Sequence, residues 1–148
     1  MESEINLSKT VEQIWQEYPL GRERLKDFHN KRRGAPRISE VIKAAAEVYR
    51  VPTDYILADR RATDVVTARH VAMYVAYVLT FSSTTMIGRS FGNRDHTTVL
   101  HAVRKISRWV EEGREGIVEQ VSDVKERAAK KAATRGMEHA PVSAPDRS

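Results

Sequence analysis

The sequence predicts an all-α protein that contains a helix-turn-helix. Apolar residues recur at helical spacing in successive segments of the chain, and two of these segments are joined by a short turn that contains glycine and asparagine. The length of 148 residues suits a single core, and 41% hydrophobic residues are enough to fill one.

The first predicted helix runs from Leu7 to Tyr18, where apolar side chains share one face. Pro19 and Gly21 end it. Residues 22–37 carry seven basic and two acidic side chains and few apolar ones, which is typical of a linker. We therefore predict an N-terminal helix and basic linker over residues 1–37.

From Ile38 the apolar pattern becomes dense. Ser39 is predicted to cap a helix that Val51-Pro52-Thr53 stops, and Thr53 to cap a short turn over residues 54–57. The charged segment from Asp59 to Asp64 is predicted to be a loop. The apolar face of the first of these helices contains Val41, Ile42, Ala45 and Val48.

A further helix is predicted to start after a cap at Thr67 and to end at Thr80. A short helix then begins at Ser83, with Met86, Ile87 and Phe91 as its apolar residues. The apolar residues of the longer helix repeat at helical spacing. They are Val71, Tyr74, Val75, Val78 and Leu79.

The turn of the predicted helix-turn-helix follows this short helix. Gly92 and Asn93 are residues that tolerate positive φ, and Asp95 is a favoured N-cap for the next helix, which Gly113 ends. The buried stripe of that helix is predicted to be Val99, Leu100, Val103, Ile106 and Val110. The two helices and their turn are typical of a helix-turn-helix, in a domain over residues 38–112.

The remainder is predicted to form a C-terminal helical arm over residues 113–135 and a disordered tail over residues 136–148. The arm carries a thin apolar stripe that includes Ile117, Val118, Val121 and Val124. The tail holds two prolines among small polar residues, a composition that does not build a core.

Composition limits the possible functions. The chain has no cysteine, which excludes disulfides and thiolate metal sites, and no glycine-rich phosphate loop or nucleophile triad is found. We therefore expect a protein that is not an enzyme and that has no cofactor and no metal. No stretch of about 20 apolar residues and no signal-peptide pattern occurs, so a cytoplasmic protein without membrane association is expected.

The basic charge is concentrated in the central part of the chain. Residues 59–108 carry eight basic and three acidic side chains, whereas residues 111–127 carry six acidic and three basic ones. A basic centre of this kind favours a polyanionic partner. Ordinary surface charge is the alternative interpretation.

The predicted second helix presents polar residues at its start. If its apolar stripe faces inward, the opposite side offers donors and acceptors of the kinds that read base edges in the major groove. Asp95 could serve only as a cap, although capping and base contact are compatible. The residues predicted to be exposed on this side are Arg94, Asp95, His96, Thr97, Thr98, His101 and Lys105.

The run IGRSFGNRDHTTVLHAVRKI, residues 87–106, closely resembles the signature of the C-terminal DNA-binding domain of the bacterial chromosomal replication initiator DnaA. The resemblance continues upstream at residues 69–74, at residues 49–52 and at Arg60-Arg61. It covers residues 38–106 and implies an all-α helix-turn-helix domain of the DnaA C-terminal type, here with extra N- and C-terminal helices.

The resemblance also implies roles for particular residues. In the family, the start of the recognition helix reads a short duplex element, the DnaA box, and the matching positions here are Asp95 to Thr98, with Arg94 and Lys105 nearby. The family's basic minor-groove loop matches Arg60 and Arg61, and a phosphate or base contact from the next helix matches Arg69. The initiator's ATPase domain would require a phosphate loop that this sequence lacks.

We therefore expect sequence-specific binding of double-stranded DNA at DnaA-box-like sites. Such binding would modulate replication initiation or nearby transcription, without ATPase activity, in a nucleoid-associated protein. The alternative is a protein-interaction module that binds the replication initiator or its regulators. The Leu7 to Tyr18 helix and the Ile117 to Val124 stripe motivate that alternative, unless both simply pack on the domain.

Overall fold

A computed structural model describes residues 34–139, and within this range the chain forms helices and no strands. The all-α prediction is confirmed. The predicted helix from Leu7 to Tyr18, residues 22–33 of the predicted basic linker and residues 140–148 of the predicted tail lie outside the described residues. The helices are α1 (Ile38–Tyr49), α2 (Thr53–Leu57), α3 (Thr63–Leu79), α4 (Thr84–Ser90), α5 (His96–Glu111) and α6 (Ile117–His139).

Helix α3 is the centre of the core. Residues 71–76 are all buried, and α3 packs against α1, α5, α6 and the two short helices. A helix that is apolar on most sides is typical of a position inside a helical domain. The predicted stripe, which placed the buried residues on one face only, therefore underestimated how much of α3 is enclosed.

Three predicted helix starts are wrong. Helix α1 begins at Ile38 with Arg37 as its N-cap, because the Glu40 carboxylate accepts the backbone N–H of Arg37 at 2.8 Å while Ser39 is exposed inside the first turn. Helix α2 includes Thr53 and is preceded by Pro52.

Helix α3 begins at Thr63 rather than after Thr67. Asp64, which the sequence assigned to a loop, lies in the first turn, where a carboxylate interacts favourably with the helix dipole. Burial of Val65 and Ala68 fixes this additional turn on the core. The predicted loop is accordingly shortened at its C-terminal end.

Two other predicted caps are confirmed in position. Ser83 is the N-cap of α4, and its hydroxyl accepts the backbone N–H of Met86 at 3.1 Å. Asp95 is the N-cap of α5. Met86 itself was predicted to be an apolar contact of α4, but it is exposed, whereas Ile87 and Phe91 are fully buried.

Helix α6 packs on α1 and completes the same core. Its buried residues recur every three or four positions, as expected for one face of a helix. They are Ile117, Val121, Val124, Ala128 and Ala132. The boundary predicted between residues 112 and 113 therefore divides one core. The helix also continues through Gly136 to His139, so the predicted tail over residues 136–148 begins inside a helix.

Polar contacts reinforce the α1–α6 contact. The Glu40 carboxylate pairs with Arg135 at 2.7 Å, and Glu47 pairs with Lys131 at 2.6 Å. The Tyr49 hydroxyl donates to the Gln120 side chain at 2.6 Å, and burial raises the pKa of this tyrosine to about 12. The predicted C-terminal arm is thus attached to the domain along its length.

Candidate nucleic-acid interface

The turn between α4 and α5 places the two helices at a fixed angle. Gly92 and Asn93 have φ values of 78° and 61°, as predicted for a turn that requires the left-handed region. The backbone N–H of Arg94 donates to the Gly88 carbonyl at 2.7 Å. A Cβ atom at Gly88 would lie 2.1 Å from the Arg94 carbonyl oxygen, so only glycine allows this approach.

Replacing Gly88 by alanine is expected to destabilise the domain by about 2 to 4 kcal/mol, because the backbone of the turn must move away from α4. Urea unfolding followed by circular dichroism measures the change. Gly136→Ala is the matched control, since no atom lies within 4 Å of a Cβ added there and alanine favours the helix. Equal stability of the two variants would contradict this account of the turn.

The start of α5 gathers the predicted recognition residues on one exposed face. Asp95, His96, Thr97 and Thr98 are all exposed, and His101 is exposed one turn further along. The opposite face of α5 is fixed to the core through Val99, Ala102, Val103 and Ile106. The helix therefore presents these side chains outward, as the sequence predicted.

Asp95 occupies the N-cap position without forming a side-chain hydrogen bond to the helix backbone. Its carboxylate instead accepts the hydroxyl of Thr97 and lies 3.5 Å from Nδ1 of His96. The Thr97 hydroxyl is the main cause that lowers the pKa of Asp95. This carboxylate is therefore an exposed, charged acceptor at the start of the helix.

Arg69 is buried, although the resemblance implies that it contacts DNA. The residue is 6% exposed, which argues against a direct contact. Its Nε donates to the Ile56 carbonyl at 2.7 Å, and Nη2 donates to the carbonyls of Ala58 at 2.8 Å and Arg60 at 3.1 Å. Arg69 thus organises the loop between α2 and α3 from inside.

Arg94 also points inward more than predicted. Its Nη1 donates to the carbonyls of Leu57 and Phe91, and its Nη2 donates to the Ala58 carbonyl at 2.8 Å. These bonds use the guanidinium of a residue that was predicted to be exposed beside the recognition helix. Arg94 therefore ties the turn before α5 to the loop that follows α2.

The loop held by these two arginines carries the predicted minor-groove residues. Arg60 and Arg61 are exposed, and the Arg60 guanidinium stacks on the Tyr55 ring at 3.6 Å from its centroid. Because Arg94 bonds to both segments, the loop and the start of α5 lie side by side. No pattern in the sequence indicates that Arg60 contacts Tyr55.

Lys105 lies on the same helix, about two turns beyond Thr98, and is partly buried. Its Nζ is 3.0 Å from Nδ1 of His70 and 4.9 Å from the centroid of the Trp109 ring. Burial, assisted by the charge of Lys105, lowers the pKa of His70 to about 4. The neutral imidazole therefore accepts a hydrogen bond from the ammonium and orients it, a contact between distant residues that the sequence did not indicate.

This pKa predicts a loss of stability in acid. Between about pH 6.5 and pH 4 the unfolded chain binds a proton at His70 that the folded chain does not, so stability falls as the pH drops through this window. The free energy of unfolding of the parent protein should therefore be lower at pH 5 than at pH 7.5. We expect His70→Gln to make this difference smaller by about 1 kcal/mol, after allowance for partial exposure. Urea unfolding at both pH values measures it, and the same pH dependence in both proteins would contradict it.

The described part of the chain contains neither a metal-binding cluster nor a membrane-spanning helix. Residues 34–139 contain no group of three or more histidine, aspartate or glutamate side chains arranged to hold a metal ion. No helix in this range is both long and apolar enough to cross a membrane.

Comparisons with known proteins agree with this geometry. Residues 38–106 match the family described as the bacterial dnaA protein helix-turn-helix. The chromosomal replication initiator protein DnaA of Bartonella quintana (strain Toulouse) is 56% identical over 70 residues, which are 47% of this chain and 14% of that protein. DnaA of Xanthobacter autotrophicus is 44% identical over 89 residues, which are 60% of this chain and 17% of that protein.

A solved structure shows the same architecture. A crystal structure of a DNA replication initiation factor matches with a TM-score of 0.53 and 25% sequence identity. The match covers 86% of this chain and 39% of the solved chain. This chain therefore spans well under half the length of each of these similar proteins.

Proposed function

Residues 38–106 match the helix-turn-helix family of the bacterial DnaA protein, and from that match we propose that this chain binds double-stranded DNA at DnaA-box-like sites. The observation that carries the proposal is the exposed face at the start of α5. Asp95 to Thr98 project from it, and a loop with two exposed arginines lies beside it.

In this proposal the start of α5 enters the major groove. The Asp95 carboxylate accepts from the amino group of cytosine, His96 donates to guanine, and the methyl group of Thr98 contacts that of thymine. The Thr97 hydroxyl is engaged with Asp95, so Thr97 acts by holding that carboxylate in place. His101 extends the same face along the groove.

The loop after α2 would reach the adjacent minor groove. Arg61 is exposed there, and an arginine in a narrow minor groove responds to its width and negative potential. Arg69 and Arg94 support this loop from behind through its backbone carbonyls. Their contribution to DNA binding is positional, together with the long-range effect of their charge.

Lys105 would neutralise a backbone phosphate from the side of α5. His70 and the Trp109 ring both contact the ammonium and limit where it can lie. Contacts of this kind supply affinity that depends on salt and not on sequence. Base contacts from α5 would then supply the preference for the box.

Binding at such sites would place the chain on the nucleoid, where it would modulate replication initiation or nearby transcription without ATPase activity. The alternative function, a protein-interaction module, was motivated by two segments, and one of them is largely buried. The stripe from Ile117 to Val124 is used in the core, apart from Val118, which is 39% exposed. The other support, the predicted helix from Leu7 to Tyr18, lies outside the described residues.

Thr98→Ala tests base reading at a single position. We expect the variant to lose about 1 to 3 kcal/mol of discrimination between matched and mismatched duplexes, because it removes the methyl contact and the hydroxyl. Competition binding with a labelled DnaA-box duplex measures this. Thr134→Ala, at an exposed position of α6, is the control. An unchanged preference in Thr98→Ala would count against its place in the groove.

A further inference from the structure

A groove lies between the end of α1, helix α2 and the start of α3, beside the proposed minor-groove loop. Its volume is about 460 Å³. Its charged lining consists of Arg50, Arg60, Arg61 and Asp64, and Tyr55 and Pro52 form part of its wall. The lining thus includes three arginines and one aspartate, around a space large enough for a small anion.

Arg50 is the exposed C-cap of α1, with a φ of 58°. Arg60 is held in place by local structure. Its guanidinium lies over the Tyr55 ring, 3.6 Å from the ring centroid, and its backbone carbonyl accepts a hydrogen bond from Arg69. A stacked guanidinium keeps its N–H edges available for an oxyanion, so Arg60 is oriented before any ligand arrives.

Among the residues that the structure describes, the three arginines of the groove outnumber its one carboxylate and form no ion pair with it. No carboxylate in the 34–139 range forms an ion pair with Arg50, Arg60 or Arg61. The Asp64 carboxylate accepts the backbone N–H of Val65 at 2.8 Å. Like charges gathered in this way repel one another, and an anion between them would lower the energy.

We propose that this groove binds a backbone phosphate of the same duplex that α5 reads, and so extends the DNA contact beyond the helix-turn-helix. The inference rests on the proposed function. Arg61 belongs to both surfaces, and Arg94 fixes its loop to the turn before α5. A duplex lying on α5 and passing Arg61 therefore continues directly to Arg50 and Arg60.

The test compares two charge-removing variants of the full chain. Arg50→Asn removes the guanidinium while keeping a residue that tolerates positive φ. Lys43→Gln is the matched control, because it removes one exposed cation from the same helix but outside the groove. Fluorescence anisotropy measures Kd for a box duplex and for duplexes extended by about half a helical turn, about five base pairs, on either side.

We expect Arg50→Asn to weaken binding to one of the extended duplexes about fivefold to tenfold near 0.1 M salt, the effect of releasing about one fewer counterion. The slope of the logarithm of its binding constant against the logarithm of the salt concentration should become smaller in magnitude by about one for that duplex. Its preference for the box over a scrambled duplex should not change. Lys43→Gln should leave both quantities close to those of the parent protein.

Equal affinities and salt slopes for the two variants on both extended duplexes would overturn the phosphate groove. Failure of the proposed function has a different signature, which is the absence of any box preference in the parent protein. The Arg50→Asn comparison can still be made on scrambled DNA in that case, because a phosphate contact does not depend on sequence.

Discussion

Replacing Arg69 by alanine is expected to reduce the stability of the domain by about 2 to 4 kcal/mol, although the residue looks like an ordinary basic DNA contact in the sequence. The side chain is buried and donates to four backbone carbonyls, those of Tyr55, Ile56, Ala58 and Arg60. Removing the donor leaves these acceptors without their partner. Urea unfolding measures the loss.

The same variant should also bind the box less selectively, because the loop that carries Arg61 loses its internal support. Arg69→Lys should recover only part of the stability, since one ammonium cannot reproduce the spread of the guanidinium donors. Lys130→Ala, at an exposed position of α6, is the control for loss of one positive charge. If Arg69→Ala weakened DNA binding with no loss of stability, Arg69 would be a direct contact after all.

Replacing Arg61 and His96 together by alanine is expected to remove about 100-fold of the preference for a box over a scrambled duplex. Each contact to a base edge or groove is worth about 1.4 kcal/mol, or tenfold, and the two lie in different grooves, so their effects should add. Affinity for scrambled DNA should fall much less, because most phosphate contacts remain. Binding of both duplexes by anisotropy measures the change.

The control for this double variant is Lys130→Ala with Thr134→Ala, two exposed residues of α6. The rival hypothesis of a protein-interaction module makes the opposite prediction. Under that hypothesis the double variant keeps its function in the cell, whereas deletion of residues 1–21 abolishes it. An unaltered box preference in the double variant would contradict the recognition surface directly.

The parts of the fold that the sequence predicted depend on local physics. Gly92 and Asn93 are of the few residue types that tolerate positive φ, so they mark the turn in the sequence. Ser83 and Asp95 occupy N-cap positions, where short polar side chains are favoured. The apolar stripe of α5 follows from the period of the helix. These features are sufficient to predict the exposure of Asp95 to Thr98 and of His101, but not the inward contacts of Arg94 and Lys105.

The parts that could not be predicted depend on contacts between distant residues. Arg69 and Arg61 are both arginines in a basic segment, and only the packing of α3 against α2 turns one inward and leaves the other exposed. His70 and Lys105 are 35 positions apart and meet only in the folded chain. Helix α6 resembled an arm because its stripe is thin, yet small alanines allow it to pack closely on α1.

The most direct test of the central claim is fluorescence anisotropy of the parent protein with a DnaA-box duplex and a scrambled duplex, each at two salt concentrations. We predict tighter binding to the box by at least about 1,000-fold, with both affinities falling steeply as salt increases. Equal, salt-sensitive binding to the two duplexes, or no binding to either, would contradict sequence-specific recognition by the exposed face of α5.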